Sequence, residues 1–190
     1  MDYKRYKYSR NLAWEILIRE RVRELPVKII PLCQRMNIRV IRYSDAPLMA
    51  DASKDGCEAV IDGNMYILYD DKISSVRKRF TIAHELGHIL MKHSGVPEDE
   101  AEANIFASRL LMPACILYEC KISSAEEIMQ MCGVSRQAAE IRLARLNMLK
   151  ARNKFYLHPL ERKVRRRFKK YIKGLRQNRG AVQALKSSRE

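Results

Sequence analysis

Two imidazoles and a carboxylate share one pentapeptide, His84-Glu85-Leu86-Gly87-His88. Residues four apart on an α-helix project from one face, so His84 and His88 can reach the same metal ion. Glu85 lies about 100° round the helix, beside a metal's open position, where a general base for water belongs. Thr81-Ile82-Ala83 before the motif and Ile89-Leu90 after it are apolar, helix-compatible and free of proline. The plain alternative is a buried helix whose histidines are satisfied by hydrogen bonds. A third ligand separates the two, because catalytic zinc takes three protein groups and leaves a fourth position for water.

The next element able to supply one runs from Pro97 to Pro113. Proline and acids suit its helix N-terminus, and Pro113 marks its stop. On a helical wheel Glu100 shares a face with Ala103, Asn104, Ala107 and Leu111, a stripe that lets this helix lie close against another. Glu98, Glu102 and Arg109 point the other way and read as a solvated, charge-paired face. Glu100 is therefore the expected third ligand and Glu102 an expected surface acid. For Glu100 the alternative is an ordinary helix acid favoured by the dipole. Asn104, one turn on, is placed to hydrogen-bond a ligating histidine from behind.

These residues resemble the ImmA/IrrE metallo-endopeptidases, which pair a His-Glu-x-x-His helix with a segment Glu-x-x-Ala-Asn-x-Phe-Ala-x-x-Leu-Leu-Met-Pro. The chain supplies the first in Arg79–Leu90 and the second in Glu100–Pro113. The resemblance spans residues 25–149 and is strongest over 79–113. It implies His84, His88 and Glu100 as ligands of one Zn2+ per chain and Glu85 as the catalytic acid/base. It implies an α+β fold: a small antiparallel sheet packed on the motif helix in a minimal zincin-like (gluzincin-like) manner, followed by a helix-turn-helix-like segment. In such peptidases a sheet edge flanks the cleft and can take substrate as an added strand. Tyr66, Ile67, Leu68 and Tyr69 are the expected edge, with an ordinary internal strand as the alternative.

Members of the family cleave helix-turn-helix repressors. The resemblance thus implies a regulatory zinc endopeptidase acting on such a repressor or an antitoxin, relieving repression in a mobile element or stress response. Two other readings use the same scaffold without cleavage: a DNA-binding transcriptional regulator and a repressor-binding protein.

The elements that must position these residues follow from periodicity. Residues 9–23 suit an amphipathic helix, Pro26 opens a second helix running to Met36, and Ile38–Tyr43 reads as a strand. Asp62-Gly63-Asn64 between two β-rich runs, Cys57–Ile61 and Met65–Tyr69, signals a hairpin. The motif helix is expected over 76–92, its far side packed on the sheet and His93 opposite the metal face. Ser123 followed by Glu126 predicts a capped helix, and a second helix is expected from Arg136 to Leu149. As a DNA reader that pair would present Arg136 and Gln137; as a packing element it would present nothing. The expected organisation is an N-terminal helix (1–24), a metallopeptidase core (25–115), a helix-turn-helix-like segment (116–150) and a basic C-terminal tail (151–190).

At 190 residues the chain can bury a core of its own. Five scattered cysteines without a Cys-x-x-Cys pair suit reduced thiols, and no apolar run reaches membrane-spanning length. No secretion signal follows the basic start, so a cytoplasmic protein is expected, with no membrane partner. The net charge is +15, and Arg162–Arg179 holds ten cations and no acid. Arg165, Arg166, Arg167, Lys169 and Lys170 are accordingly candidate contacts to nucleic acid or an acidic partner, with a solvated tail as the alternative.

Overall fold

The motif helix has one face filled by a sheet and another by a second helix, and the remaining elements close round these three. The computed structural model describes residues 2–51 and 53–177. In chain order the elements are α1 (Tyr3–Arg19), α2 (Ile29–Arg35), β1 (Ile38–Arg42), β2 (Gly56–Ile61), β3 (Asn64–Tyr69), α3 (Ser75–Met91), α4 (Pro97–Leu111), α5 (Ala114–Glu119), α6 (Ala125–Cys132), α7 (Arg136–Ala151) and α8 (Pro159–Arg167). Helix resumes over 169–177. The fold is mixed α+β with a small three-stranded sheet.

The strand order is β1-β3-β2, with β3 parallel to β1 and antiparallel to β2. The expected all-antiparallel sheet is thus corrected to a mixed one. Only the Asp62-Gly63 hairpin is local. Both of its residues take left-handed backbone angles, φ 48° and 74°, which suit a tight hairpin turn. Before β1, Asn37 turns the chain with φ 58°. Alternation along β3 sends Ile67 into the main core, while Tyr66 and Leu68 face a second cluster closed by Tyr43 and the loop after β1.

Several boundaries differ from the sequence expectation. The first helix begins at Tyr3, and Pro26 lies in the bend before α2 rather than opening it. The cap of α6 is Ser124, whose hydroxyl accepts from Glu127 N at 3.2 Å, one residue beyond the expected pair. Helices α6 and α7 are joined through Gly133, which sits at φ 62°.

Of the stretch expected as a basic tail (151–190), the part described, up to residue 177, packs on the rest. Val164, Phe168 and Ile172 are buried in the same core as Ala13, Ile16 and Leu17 of α1. Apolar residues spaced four apart give this cationic stretch a buried stripe, so its cations line the other faces. Arg179, the last cation of the run, lies outside the described residues.

Candidate metal centre

Helix α3 begins with a cap, Ser74 Oγ accepting from Arg77 N, and ends with Lys92 in the left-handed region at φ 53°. Ile82 and Leu86 are buried on its core side. Gly87, inside the motif, faces α4. A Cβ there would stand 3.0 Å from Phe106 Cδ1 and 3.3 Å from Ala103 Cα, so glycine lets the two helices lie close. This approach brings Glu100 to the histidines.

His84 Nε2 lies 3.2 Å from one Glu100 oxygen, and His88 Nε2 lies 3.5 Å from the other. The two Nε2 atoms are 2.9 Å apart. Zinc bonds of about 2.0–2.2 Å in a tetrahedron place ligand atoms about 3.3–3.6 Å from one another; the two histidine–carboxylate distances lie near that spacing and the imidazole pair stands closer, so the donor set could hold one ion. Among the described residues these three side chains group as potential metal ligands, with all their donor atoms within 4.8 Å.

The second nitrogen of each ring is also engaged. His84 Nδ1 is 3.1 Å from Asn104 Oδ1, which accepts a proton only if it sits on Nδ1, leaving the Nε2 lone pair toward Glu100. His88 Nδ1 is 2.9 Å from His93 Nδ1, and His93 Nε2 is 3.2 Å from Glu102 Oε2. Glu102 pairs with Arg5 of α1, whose guanidinium also meets Asp99 at 2.8 Å. Asp99 in turn accepts from the backbone N–H groups of Ser94, Gly95 and Val96.

Glu85 lines the cavity beside these groups, with Gly56, Glu58 and Thr81 on the β2 side. The space measures about 670 Å³. Burial, reinforced by the neighbouring carboxylates Glu58 and Glu100, pushes Glu85 up to about 7. Burial likewise raises Glu58. Burial and the adjacent His84 lower His88 to about 4, and burial outweighs Glu100 in lowering His84. The histidines are therefore neutral at pH 7, as metal ligation requires.

A model of the Peptidase M78 family, described as the IrrE N-terminal-like domain, matches residues 33–144, more than half of the chain. The chain belongs to the ImmA/IrrE family of metallopeptidases. No curated protein matches it. The matched residues contain α3, α4 and the whole His84–His88–Glu100 group, whereas α1, with Arg5, lies outside them.

Three expectations about site residues need correction. Tyr66, Ile67, Leu68 and Tyr69 form no edge, because β3 is the middle strand, paired on both sides. The strand beside the cavity is β2, through Gly56, Cys57 and Glu58. Glu102 is no surface acid: α1 covers that side of α4 and leaves Glu102 only 4% exposed. His93 does not point away from the ligands, because α3 stops at Met91 and the left-handed Lys92 reverses the chain, returning the ring to His88.

Sequence reasoning missed Arg5 and Asp99 as well. Asp99, three residues after Val96, carried a legible signal as a helix-start acid able to cap backbone amides. Arg5 carried none, since its partners lie more than 90 residues away. The basic candidates lie elsewhere. Arg165 pairs with Glu119 at 2.5 Å, while Arg166, Arg167, Lys169 and Lys170 are exposed.

Proposed function

We infer that this chain is a zinc-dependent endopeptidase that cuts a helix-turn-helix repressor or antitoxin and thereby relieves repression. The observation that carries the reading is the convergence of two imidazole Nε2 atoms and the Glu100 carboxylate within 4.8 Å, next to a carboxyl raised to about 7. His84, His88 and Glu100 would hold the metal, which supplies Lewis acidity toward a carbonyl and toward water. Glu85 takes the proton of the attacking water and returns it to the leaving amine. Burial, which disfavours its charged form, suits Glu85 to taking up that proton and holding it until the amine leaves. Asn104 fixes the proton of His84 on Nδ1, and His93 does the same for His88.

The outer edge of β2 borders the cavity, so an extended substrate segment can add to the sheet there by backbone hydrogen bonds. The repressor as substrate comes from family resemblance, and zinc from the ligand types together with that resemblance. Glu85→Gln and Glu100→Ala separate the roles. The first should keep zinc at the parent's stoichiometry and lose cleavage of the helix-turn-helix protein encoded nearest to it. The second should lose zinc itself. Metal analysis beside an electrophoretic cleavage assay reads both. Full relief of repression by Glu85→Gln in cells would instead favour a non-cleaving binder.

A second activity is supported by one observation. A cavity of about 760 Å³ beside α8 is lined by Arg162, Arg166, Lys169, Lys173 and the Glu119 partners Arg165 and Arg176. This cationic face offers phosphates a surface on which counterions are released, so the chain would bind nucleic acid without sequence preference.

A further inference from the structure

Trp14 Nε1 and Arg142 Nη2 are the buried side-chain donors without a hydrogen-bond partner among the described residues. Both residues line one cavity, bounded by α1, the end of α4, α7 and residues 152–161. It is separate from the metal centre, sharing no lining residue with that cavity, and α1 and residues 145–161 of its wall lie outside the family match.

The wall is cationic. Arg109, Arg142 and Arg145 converge from α4 and α7, with Arg10 of α1 stacked over the Trp14 ring at 4.7 Å. The partners that these guanidiniums find are neutral. Arg142 Nε donates to the Met112 carbonyl at 2.7 Å, and Arg109 and Arg145 both donate to the Tyr6 hydroxyl, at 3.2 and 3.4 Å. Arg10 donates to the Asn11 amide oxygen. The one carboxylate of the wall, Glu161, accepts from Tyr156 N at 2.7 Å. Arg142 itself is 2% exposed. A guanidinium withdrawn from water is costly unless a counter-charge and full hydrogen bonding replace its hydration. Here positive charges cluster and donors are left over, the pattern of a site built for an anion.

We propose that this cavity binds a small phosphorylated ligand of nucleotide size, its phosphate held by Arg109, Arg142 and Arg145. Guanidinium forks match phosphate oxygens two at a time, which an ammonium cannot do. The volume, about 840 Å³, suits such a ligand. At the mouth stands Tyr3, 68% exposed and stacked on Tyr6, with the Lys7 ammonium 4.5 Å over its ring, a further cation for a phosphorylated ligand to meet. The depth of Arg142 favours a free small molecule over an internal phosphate of a nucleic-acid strand. The proposal stands apart from the peptidase reading.

Trp14 is the only tryptophan of the chain, so its fluorescence reports on this wall. The full chain is titrated at constant ionic strength with adenosine 5′-monophosphate, inorganic phosphate, adenosine and a short single-stranded oligonucleotide. The monophosphate should give a saturable change, phosphate a weaker one, and adenosine none. Arg109→Gln and Arg145→Gln should each weaken the monophosphate by about tenfold or more, and Arg166→Gln on α8 should not. Arg142→Leu should abolish binding; if that variant does not fold, the two half-buried arginines decide. The proposal is overturned if no probe saturates, if adenosine matches its monophosphate, or if both glutamine variants bind as the parent does. It is also overturned if the oligonucleotide binds more tightly and depends on Arg166, since the ligand would then be a strand on α8.

Discussion

At the scale of single residues, His93 changes how the metal centre is understood. For His88 to offer Nε2 to a metal, its proton must sit on Nδ1. His93 Nδ1, at 2.9 Å, is placed to accept it, and Glu102 at 3.2 Å accepts from the far side of His93. Acceptors behind a ligating histidine typically carry about 10–100-fold in metal affinity. His93→Leu should therefore weaken zinc by about that factor in a competition titration against a chromophoric chelator. His93→Asn, which retains an acceptor oxygen near the Nδ1 position, should recover most of the loss. Equal losses in both would reduce His93 to packing.

Glu85 carries a pH signature of its own. Its folded value is raised from 4.5 to about 7, so the folded state prefers the protonated carboxyl. For an acid raised in this way, the contribution to stability is fully present below 4.5 and lost as pH rises through 7. Glu85→Gln is neutral at every pH. Without metal, that variant should outlast the parent at pH 8 by up to about 2–3 kcal/mol and match it near pH 4. Thermal melts in chelator at the two pH values check this. The pair His84 and His88, with Glu85 between them, was legible because helical spacing alone determines which side chains share a face. His93 was not, because the wheel assumes that the helix continues, and a left-handed Lys92 ends it.

Between elements, glycines set the distances that matter. Gly56 opens β2 against α3, where a Cβ would stand 2.5 Å from Thr81 Cγ2 and 2.9 Å from the Leu68 carbonyl oxygen. Neither the backbone oxygen nor a buried threonine can step aside cheaply. Gly56→Ala should force β2 away from Glu85 and cost about 1–3 kcal/mol, read as a lower denaturation midpoint. It should lower peptidase activity more than zinc content, since the ligands sit on α3 and α4. The hairpin and the two metal-bearing helices could be read from local patterns, namely Asp62-Gly63, the motif and the stripe from Ala103 to Leu111. The parallel pairing of β1 with β3 could not. It joins strands separated by a loop and by β2, and nothing local specifies the order β1-β3-β2. That order turned the expected edge Tyr66–Tyr69 into the centre of the sheet.

Across the whole molecule, α1 and the cationic stretch from 162 to 177 are the least legible of the described parts. Composition showed a cationic run but not its buried stripe, because Val164, Phe168 and Ile172 are diluted by the cations around them. Their packing changes how the surface should be tested. Removing this stretch would open the core, whereas Arg166→Glu with Lys169→Glu alters charge alone on exposed positions. The double variant should elute from a DNA column at lower salt than the parent, with unchanged metal content and melting temperature. Unchanged elution would assign the charge to solubility. Among the described residues no helix is long and apolar enough to cross a membrane.

Helix α1 lines one cavity through Tyr6 and backs the metal centre through Arg5, which reaches His93 only by way of Glu102. Arg5 turns toward Glu102 and Asp99, and Tyr6 toward Arg109 and Arg145. Side chains one apart on a helix diverge by about 100°, so a single rigid rod serves two rooms at once. Any slide or screw of that rod would be felt on both sides of α4, which makes the first turn of α1 a lever between them.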